Sequence, residues 1–155
     1  MLQLYRPRKK ELRFRQELLN DEETMSYNRD YGGTLPFPEE KWQSWYDSWL
    51  ADNENRRFYR YLQDSETGNF VGEAAYRYDE KENRYLCDII IHAKYRRKGF
   101  GRKGLQLLCD AARDNGIAVL YDDIAADNPS VKMFLDEGFK EVCRNDRTVL
   151  VRKEL

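Results

Sequence analysis

Residues 96–101 read Arg-Arg-Lys-Gly-Phe-Gly, a basic, glycine-punctuated hexapeptide between the apolar run Ile89-Ile90-Ile91 and a helical pattern that begins near Phe100. A strand, a glycine turn and a helix N-terminus in that order can hold a phosphorylated ligand. Glycines let the backbone turn tightly and approach the ligand, so that several N–H groups converge on one pyrophosphate. The helix adds its unpaired N–H groups and the positive end of its dipole. Six basic residues fall within positions 94–103 (Lys94, Arg96, Arg97, Lys98, Arg102 and Lys103), a charge density suited to a polyanion. No Gly-Lys-Ser/Thr is present, which excludes a P-loop nucleotide site. A dinucleotide fingerprint can be laid over Gly99-x-Gly101-x-x-Gly104, with Asp122 and Asp123 near the spacing of its ribose-binding acid. The loop's basic surround and the hairpins that precede it argue against that reading.

The elements around the loop follow from periodicity. Residues 2–6 alternate as a short strand, 9–19 carry Leu12, Phe14, Leu18 and Leu19 at helical spacing, and Asp21 is placed to cap a further turn through Tyr27. Residues 28–37, with Gly32, Gly33, Pro36 and Pro38 nearby, read as a mobile loop. A helix follows from Pro38, with Glu39 and Glu40 in its first turn and Trp42, Trp45, Tyr46 and Trp49 on one stripe that is expected in the core. Strands at 58–63, 69–78 and 84–92 are separated by short polar turns, which implies antiparallel hairpins. After the glycine loop comes a helix with Leu105, Leu107, Leu108 and Ala111 as its buried stripe, stopping near Asn115-Gly116. A buried strand at 117–124, a short helix from Asp127-Asn128-Pro129 to Gly138, and a terminal hairpin of 139–143 with 148–152 complete the chain. The expected fold is mixed α/β (α+β), with antiparallel strands first and a βαβ crossover in the second half.

Composition sets the outer bounds. The 155 residues fit one domain, 1–155, with 41% hydrophobic and 35% charged residues. A net charge of −1, with no helix-turn-helix or zinc pattern, leaves no footprint for nucleic acid or an anionic membrane, despite basic residues at Arg6, Arg8, Lys9, Lys10, Arg13 and Arg15. Three widely spaced cysteines and one histidine supply no metal set, and Cys87 and Cys109 lie in apolar patterns as buried small hydrophobes. No apolar run approaches the ~20 residues of a membrane span, nor the shorter run of a signal peptide. The expectation is a reduced, cytoplasmic, soluble protein, whose strand edges would permit a homodimer without requiring one.

Element order and motifs together resemble the GNAT superfamily of acyl-CoA-dependent N-acyltransferases. Arg96-x-x-Gly99-x-Gly101 matches that superfamily's Arg/Gln-x-x-Gly-x-Gly/Ala loop, directly after a strand that ends Ile89-Ile90-Ile91-His92. A strand at 117–124 leads to Asn128 at the head of a short helix, which closes with Glu137-Gly138-Phe139. The resemblance is strong over roughly residues 85–140 and rests on element order alone before that. It implies a mostly antiparallel sheet of six to seven strands flanked by four to five helices. It implies acetyl-CoA as co-substrate and an amine as acceptor.

By that resemblance the backbone of Ile89, Ile90 and Ile91 holds the pantetheine arm. Amides of Arg97, Lys98, Gly99, Phe100, Gly101 and Arg102 hold the pyrophosphate, with basic side chains, Arg96 among them, toward the 3′-phosphate. Asn128 and Ser130 line the thioester, although Asn128 reads equally as an N-cap before Pro129. The amine needs a base, and a carboxylate with a raised pKa suits. Glu73, read with Val71 and Ala75 on its own side of a strand, and Asp88, which interrupts an apolar strand, are the two candidates. His92 reads as a surface residue. Six residues after Asn128, where many members carry an acid tyrosine, stands Phe134, so either Tyr121 or water serves, or the thiolate departs without an acid, or catalysis is impaired. A non-catalytic acyl-CoA sensor is the rival that Phe134 suggests. Tyr27, Tyr31 and Phe37 flank the loop as acceptor contacts, and Glu73, Asp88, Asp122 and Asp123 would attract a small cationic amine more readily than a protein N-terminus.

Overall fold

The computed structural model describes residues 1–51 and 54–155. Its strands are Leu2–Tyr5 (β1), Arg57–Asp64 (β2), Phe70–Asp79 (β3), Arg84–Ile91 (β4), Val119–Ala125 (β5), Lys140–Arg144 (β6) and Thr148–Glu154 (β7). They form one seven-stranded sheet in the order β1-β2-β3-β4-β5-β7-β6. All neighbours are antiparallel except β4 and β5, which the crossover helix joins in parallel. The α-helices are Arg13–Asn20 (α1), Trp42–Trp49 (α2), Phe100–Asp114 (α3) and Ser130–Asp136 (α4), with 3-10 segments at Lys9–Leu12, Thr24–Tyr31, Glu39–Lys41 and Ala93–Tyr95. This is the mixed fold expected from the pattern.

Each face of the sheet carries its own core. Helix α3 buries Leu105, Leu108, Cys109 and Ala112, a stripe at i, i+3, i+4 and i+7, against Leu62, Ala74, Cys87 and Ile91. Leu107 and Ala111, expected in that stripe, sit at its margin. Gly104 lets α3 press onto β2, since a Cβ there would lie 2.7 Å from Leu62 Cδ1. On the opposite face Leu12, Leu18, Met25, Phe37 and Trp42 pack over Ile90, and Leu50 packs with Tyr59, Tyr61 and Ala75.

Two local differences from the sequence reading have clear causes. Residues 28–31 continue a 3-10 segment rather than a loop. Asp21 Oδ2 accepts from the Thr24 amide (3.0 Å) and hydroxyl (2.5 Å) at its start, and Asn28 Nδ2 donates to Gly33 O (2.9 Å) at its end. The second concerns Glu73. The pairing of β2 with β3 shifts between Leu62 and Gln63, so Val71 packs under α3 while Glu73 turns to the α1 face with Ala75.

There Glu73, 4% exposed, meets Arg15. Both carboxylate oxygens accept from Arg15 Nη1 at 2.7 Å, and Tyr59 donates its hydroxyl to Oε2. The guanidinium lies 4.5 Å from the ring centre of Trp45 and 5.2 Å from that of Phe37. Removing one partner of such a pair strands the other charge away from water. Arg15→Met is therefore expected to cost about 3–5 kcal/mol by denaturant unfolding. Adding Glu73→Gln should recover most of the loss.

Candidate active site

Strands β4 and β5 share two registered pairs, Tyr85↔Leu120 and Leu86↔Tyr121, and then part. Beyond that point β4 stays paired to β3 as far as Ile91, and β5 stays paired to β7 as far as Ala125. A cleft of about 810 Å³ opens between them, with Asp88, Ile89, Ile90 and Ile91 on one wall and Asp122, Asp123, Ile124 and Ala125 on the other. The edge of β4 that faces this cleft is unpaired over residues 89–91.

The glycine loop and the N-terminus of α3 close one end. Arg97 (φ 64°) and Gly99 (φ 83°) are left-handed, and that pair of turns swings the chain into the helix. Among the described residues the amides of residues 97–102 have no hydrogen-bond partner; the first amide with one is that of Lys103, on Gly99 O at 3.1 Å. Five of these residues, Arg97, Gly99, Phe100, Gly101 and Arg102, line the cleft. Gly101 keeps the space narrow, since a Cβ there would meet Met133 Sδ of α4 at 3.2 Å.

The basic side chains divide by what they touch. Arg96 donates to Ile91 O (3.2 Å), Thr24 O (2.8 Å) and Glu23 O (3.5 Å), and so ties the loop to the 3-10 segment Thr24–Tyr31. Arg102 pairs with Glu137 (2.9 Å) and Asp136 (3.2 Å). Arg97 makes no ion pair among the described residues and borders the cleft; Lys98 lies outside it with its ammonium 6.0 Å from the Tyr95 ring.

Across the cleft Asn128 Oδ1 accepts from the Ser130 amide at 2.9 Å, so Asn128 caps α4 while its Nδ2 stays free to face the cleft. Phe134 is 2% exposed and packs edge-on against Phe139. Tyr27, Arg29 and Asp30 of the Thr24–Tyr31 segment also line the cleft.

Asp88 faces Ala75 across the β3–β4 pair and is exposed where it lines the cleft. Burial, then the charge of Glu73, pushes its carboxyl up to about 6 against the pull of Arg15. Tyr27, 40% exposed, borders the same space; partial desolvation in the cleft, then the charges of Asp88, Glu73 and Asp122, raise its phenol above the ordinary range.

The remaining sequence candidates lie elsewhere. Glu73 is held by Arg15 and Tyr59 behind the wall of the cleft. Tyr121 pairs opposite Leu86 with the Arg84 and Arg152 guanidinium carbons 4.7 and 5.7 Å from its ring centre. Phe37 is core, and Tyr31, 65% exposed, stands outside the cleft lining. Sequence reading gave Asp122 no more than a share in attracting an amine. The structure sets it beside the point where the strands part. Its signal was a carboxylate pair inside the apolar stretch 117–124. Among the described residues no group of three His, Cys, Asp or Glu side chains is placed to hold a metal, and no helix is long and apolar enough to cross a membrane.

A sheet parted between parallel neighbours, with a phosphate loop closing the gap, is the frame of an acyl-CoA-dependent acyltransferase. The chain belongs to the acetyltransferase (GNAT) family, whose family model matches residues 16–139. Acetyl-CoA-dependent acetyl transfer is the activity of that family. No curated protein matches the sequence. Solved structures share the fold at low identity. A spermidine N-acetyltransferase from Vibrio cholerae, in complex with CoA and spermine, is 22% identical with a TM-score of 0.76, over 97% of this chain and 92% of that one. The Salmonella typhimurium protein yncA, solved with acetyl-CoA, is 19% identical with a TM-score of 0.77, over 99% and 94%. A ribosomal-protein-alanine N-acetyltransferase from Brucella melitensis is 20% identical with a TM-score of 0.74, over 100% and 99%.

Proposed function

We propose that this protein transfers the acetyl group of acetyl-CoA to the amine of a small cationic molecule. One observation carries the reading: one cleft is lined by the unpartnered amides of Arg97, Gly99, Phe100, Gly101 and Arg102 and by Asp88, Tyr27 and Asp30. The residues fit acetyl-CoA. The open edge of β4 at Ile89, Ile90 and Ile91 offers backbone partners to an amide-bearing arm. Amides of residues 97–102 take the pyrophosphate, and Arg97 and Lys98 stand by for the remaining phosphate. Arg96 serves by holding the loop in place rather than by touching phosphate. Asn128 Nδ2 and Ser130 flank the thioester, which supplies the activated acetyl group.

Asp88 is the base in this reading, because its carboxylate is free and in the cleft while that of Glu73 is doubly held. Tyr27 contacts the acceptor and Asp30 and Asp123 draw a cation toward it. The Vibrio cholerae neighbour's spermidine is of the same chemical class; the Brucella melitensis neighbour supports a protein N-terminus as the second acceptor class.

Calorimetric titration with acetyl-CoA, CoA and NAD tests the site, and turnover of spermidine, an aminoglycoside and an Ala-initiated peptide tests the acceptor. Binding of both CoA species with acetylation of the small amines is expected. Turnover confined to the peptide would sink the small-amine assignment, and a folded protein that binds neither CoA species would sink acyl transfer.

A further inference from the structure

Phe134 puts no acidic group at the sixth position after Asn128. The two faces of the parted sheet show what stands in its place. Asp88 lies on the α1–α2 face, one strand across from Ala75, and its neighbour in that face, Ile90, packs with Leu12 and Trp42. Asp122 has the opposite sense. Leu120 and Ile124, two residues to either side of it on β5, pack in the core with Phe134 and α3. The last registered pair of the two strands is Leu86↔Tyr121, so Asp122 is the next residue on β5 and Asp88 is two residues further on β4. The carboxyls therefore flank the opening of the cleft from opposite faces, Asp88 on the side of Tyr27 and Asp122 on the side of α4. Among the described residues no side chain donates a hydrogen bond to Asp122, and no cation pairs with it.

Resting on the acetyl-transfer reading above, we infer that Asp122 is the acid of the reaction, giving its carboxyl proton to the leaving sulfur while Asp88 receives the proton of the amine. The nitrogen lone pair forms the C–N bond at the thioester carbonyl carbon. The C–S bond breaks, its electron pair stays on sulfur, and the Asp122 proton converts that thiolate to a thiol. The proton shed by nitrogen goes to Asp88. Exchange with water as products leave returns both carboxyls to their starting states, so the net products are an amide and free CoA thiol.

The surroundings divide the two roles. The charged and titratable groups facing Asp122 are Asp88 and Cys87 on β4, Asp123 beside it and Tyr27 across the cleft; its partner on β7 is Val151, and α4 presents Met133 and Phe134. Asp88 faces Glu73 and Arg77 on β3, Arg15 on α1 and Tyr27. Burial, then the charge of Asp88, raises the Asp122 carboxyl well above the usual carboxylate range, against one backbone hydrogen bond from Asp123. Burial and the charge of Asp88 favour the protonated form of Asp122, while Arg15 and a backbone hydrogen bond from Ile89 favour the ionised form of Asp88, which suits the first as acid and the second as base.

Asp122→Asn should lower kcat about 10²-fold on the fastest amine of the panel, with acetyl-CoA affinity and melting temperature unchanged. The high-pH limb of kcat, set by loss of the acid's proton, should vanish while the low-pH limb remains. Phe134→Tyr in that background should restore activity at least tenfold. A variant within twofold of wild type, or one whose loss follows weaker acetyl-CoA binding, would overturn the inference. Carbon-13 titration of the Asp122 carboxyl needs no turnover: a pKa near 4 overturns the inference, and one above that of Asp88 supports it. A wild type that acetylates no amine would instead overturn the acetyl-transfer reading, and the titration would still judge Asp122.

Discussion

Replacing Asp88 with Asn is expected to lower kcat/KM by about 10²–10³-fold with acetyl-CoA affinity intact, the loss associated with a missing general base. The pH profile carries the sharper test. Burial and the Glu73 charge put the Asp88 carboxyl at about 6, so below that pH the group is protonated and cannot take a proton from the amine. Wild-type kcat/KM should fall about tenfold for each pH unit below that value. The variant should keep low activity with no such limb. Stability moves the other way. The folded-state pKa is raised above the unfolded one, so folding stability is fullest below about 4, where both states hold the proton, and declines as pH rises through about 6. The substituted amide carries no charge for Glu73 to repel, and at pH 7 Asp88→Asn should melt no lower than wild type. A variant that lost both activity and stability would mean that Asp88 is structural. One that kept full activity would return the base to another group.

The sequence was explicit about this site where a residue type has one use and silent where a partner decides the role. The glycine loop was legible because Gly99 stands between a strand and a helix and its left-handed φ suits glycine best. Asp88 was legible because a carboxylate inside Ile-rich sequence needs a reason. Glu73 looked equivalent, yet its role depends on Arg15, 58 positions away, and no periodicity links the two. Its apparent companion Val71 was lost to a register shift, for which the strand glycine at Gly72 was the available sign. Arg96 matched the loop motif in type, but its guanidinium goes to carbonyls of the segment 23–24, a contact set by tertiary packing. The parting of β4 from β5 was not legible at all. It is a property of two strands that keep different outer partners, and it sets Asp122 at the opening of the cleft.

Gly99→Glu should weaken acetyl-CoA binding by about 10²-fold or more, the largest effect expected of any change in the loop. Gly99 holds φ at 83°, where a side chain costs about 1–2 kcal/mol, yet no atom lies within 4 Å of the position a Cβ would take. The fold should therefore tolerate the side chain, with a melting temperature lower by a few degrees. Binding has no such slack. The new carboxylate stands next to the amides that the pyrophosphate would use and competes for them. At about 5 Å and an effective dielectric near 20 its repulsion of one phosphate charge is about 3 kcal/mol, which alone corresponds to about 10²-fold. Gly99→Ala separates the causes, since it adds the backbone strain without the charge and should cost less than tenfold. Equal losses in the two variants would assign the effect to loop geometry. Acetyl-CoA affinity that survives Gly99→Glu would mean that the phosphates bind elsewhere, and the alignment of Asp88 and Asp122 with a thioester in this cleft would fall with it.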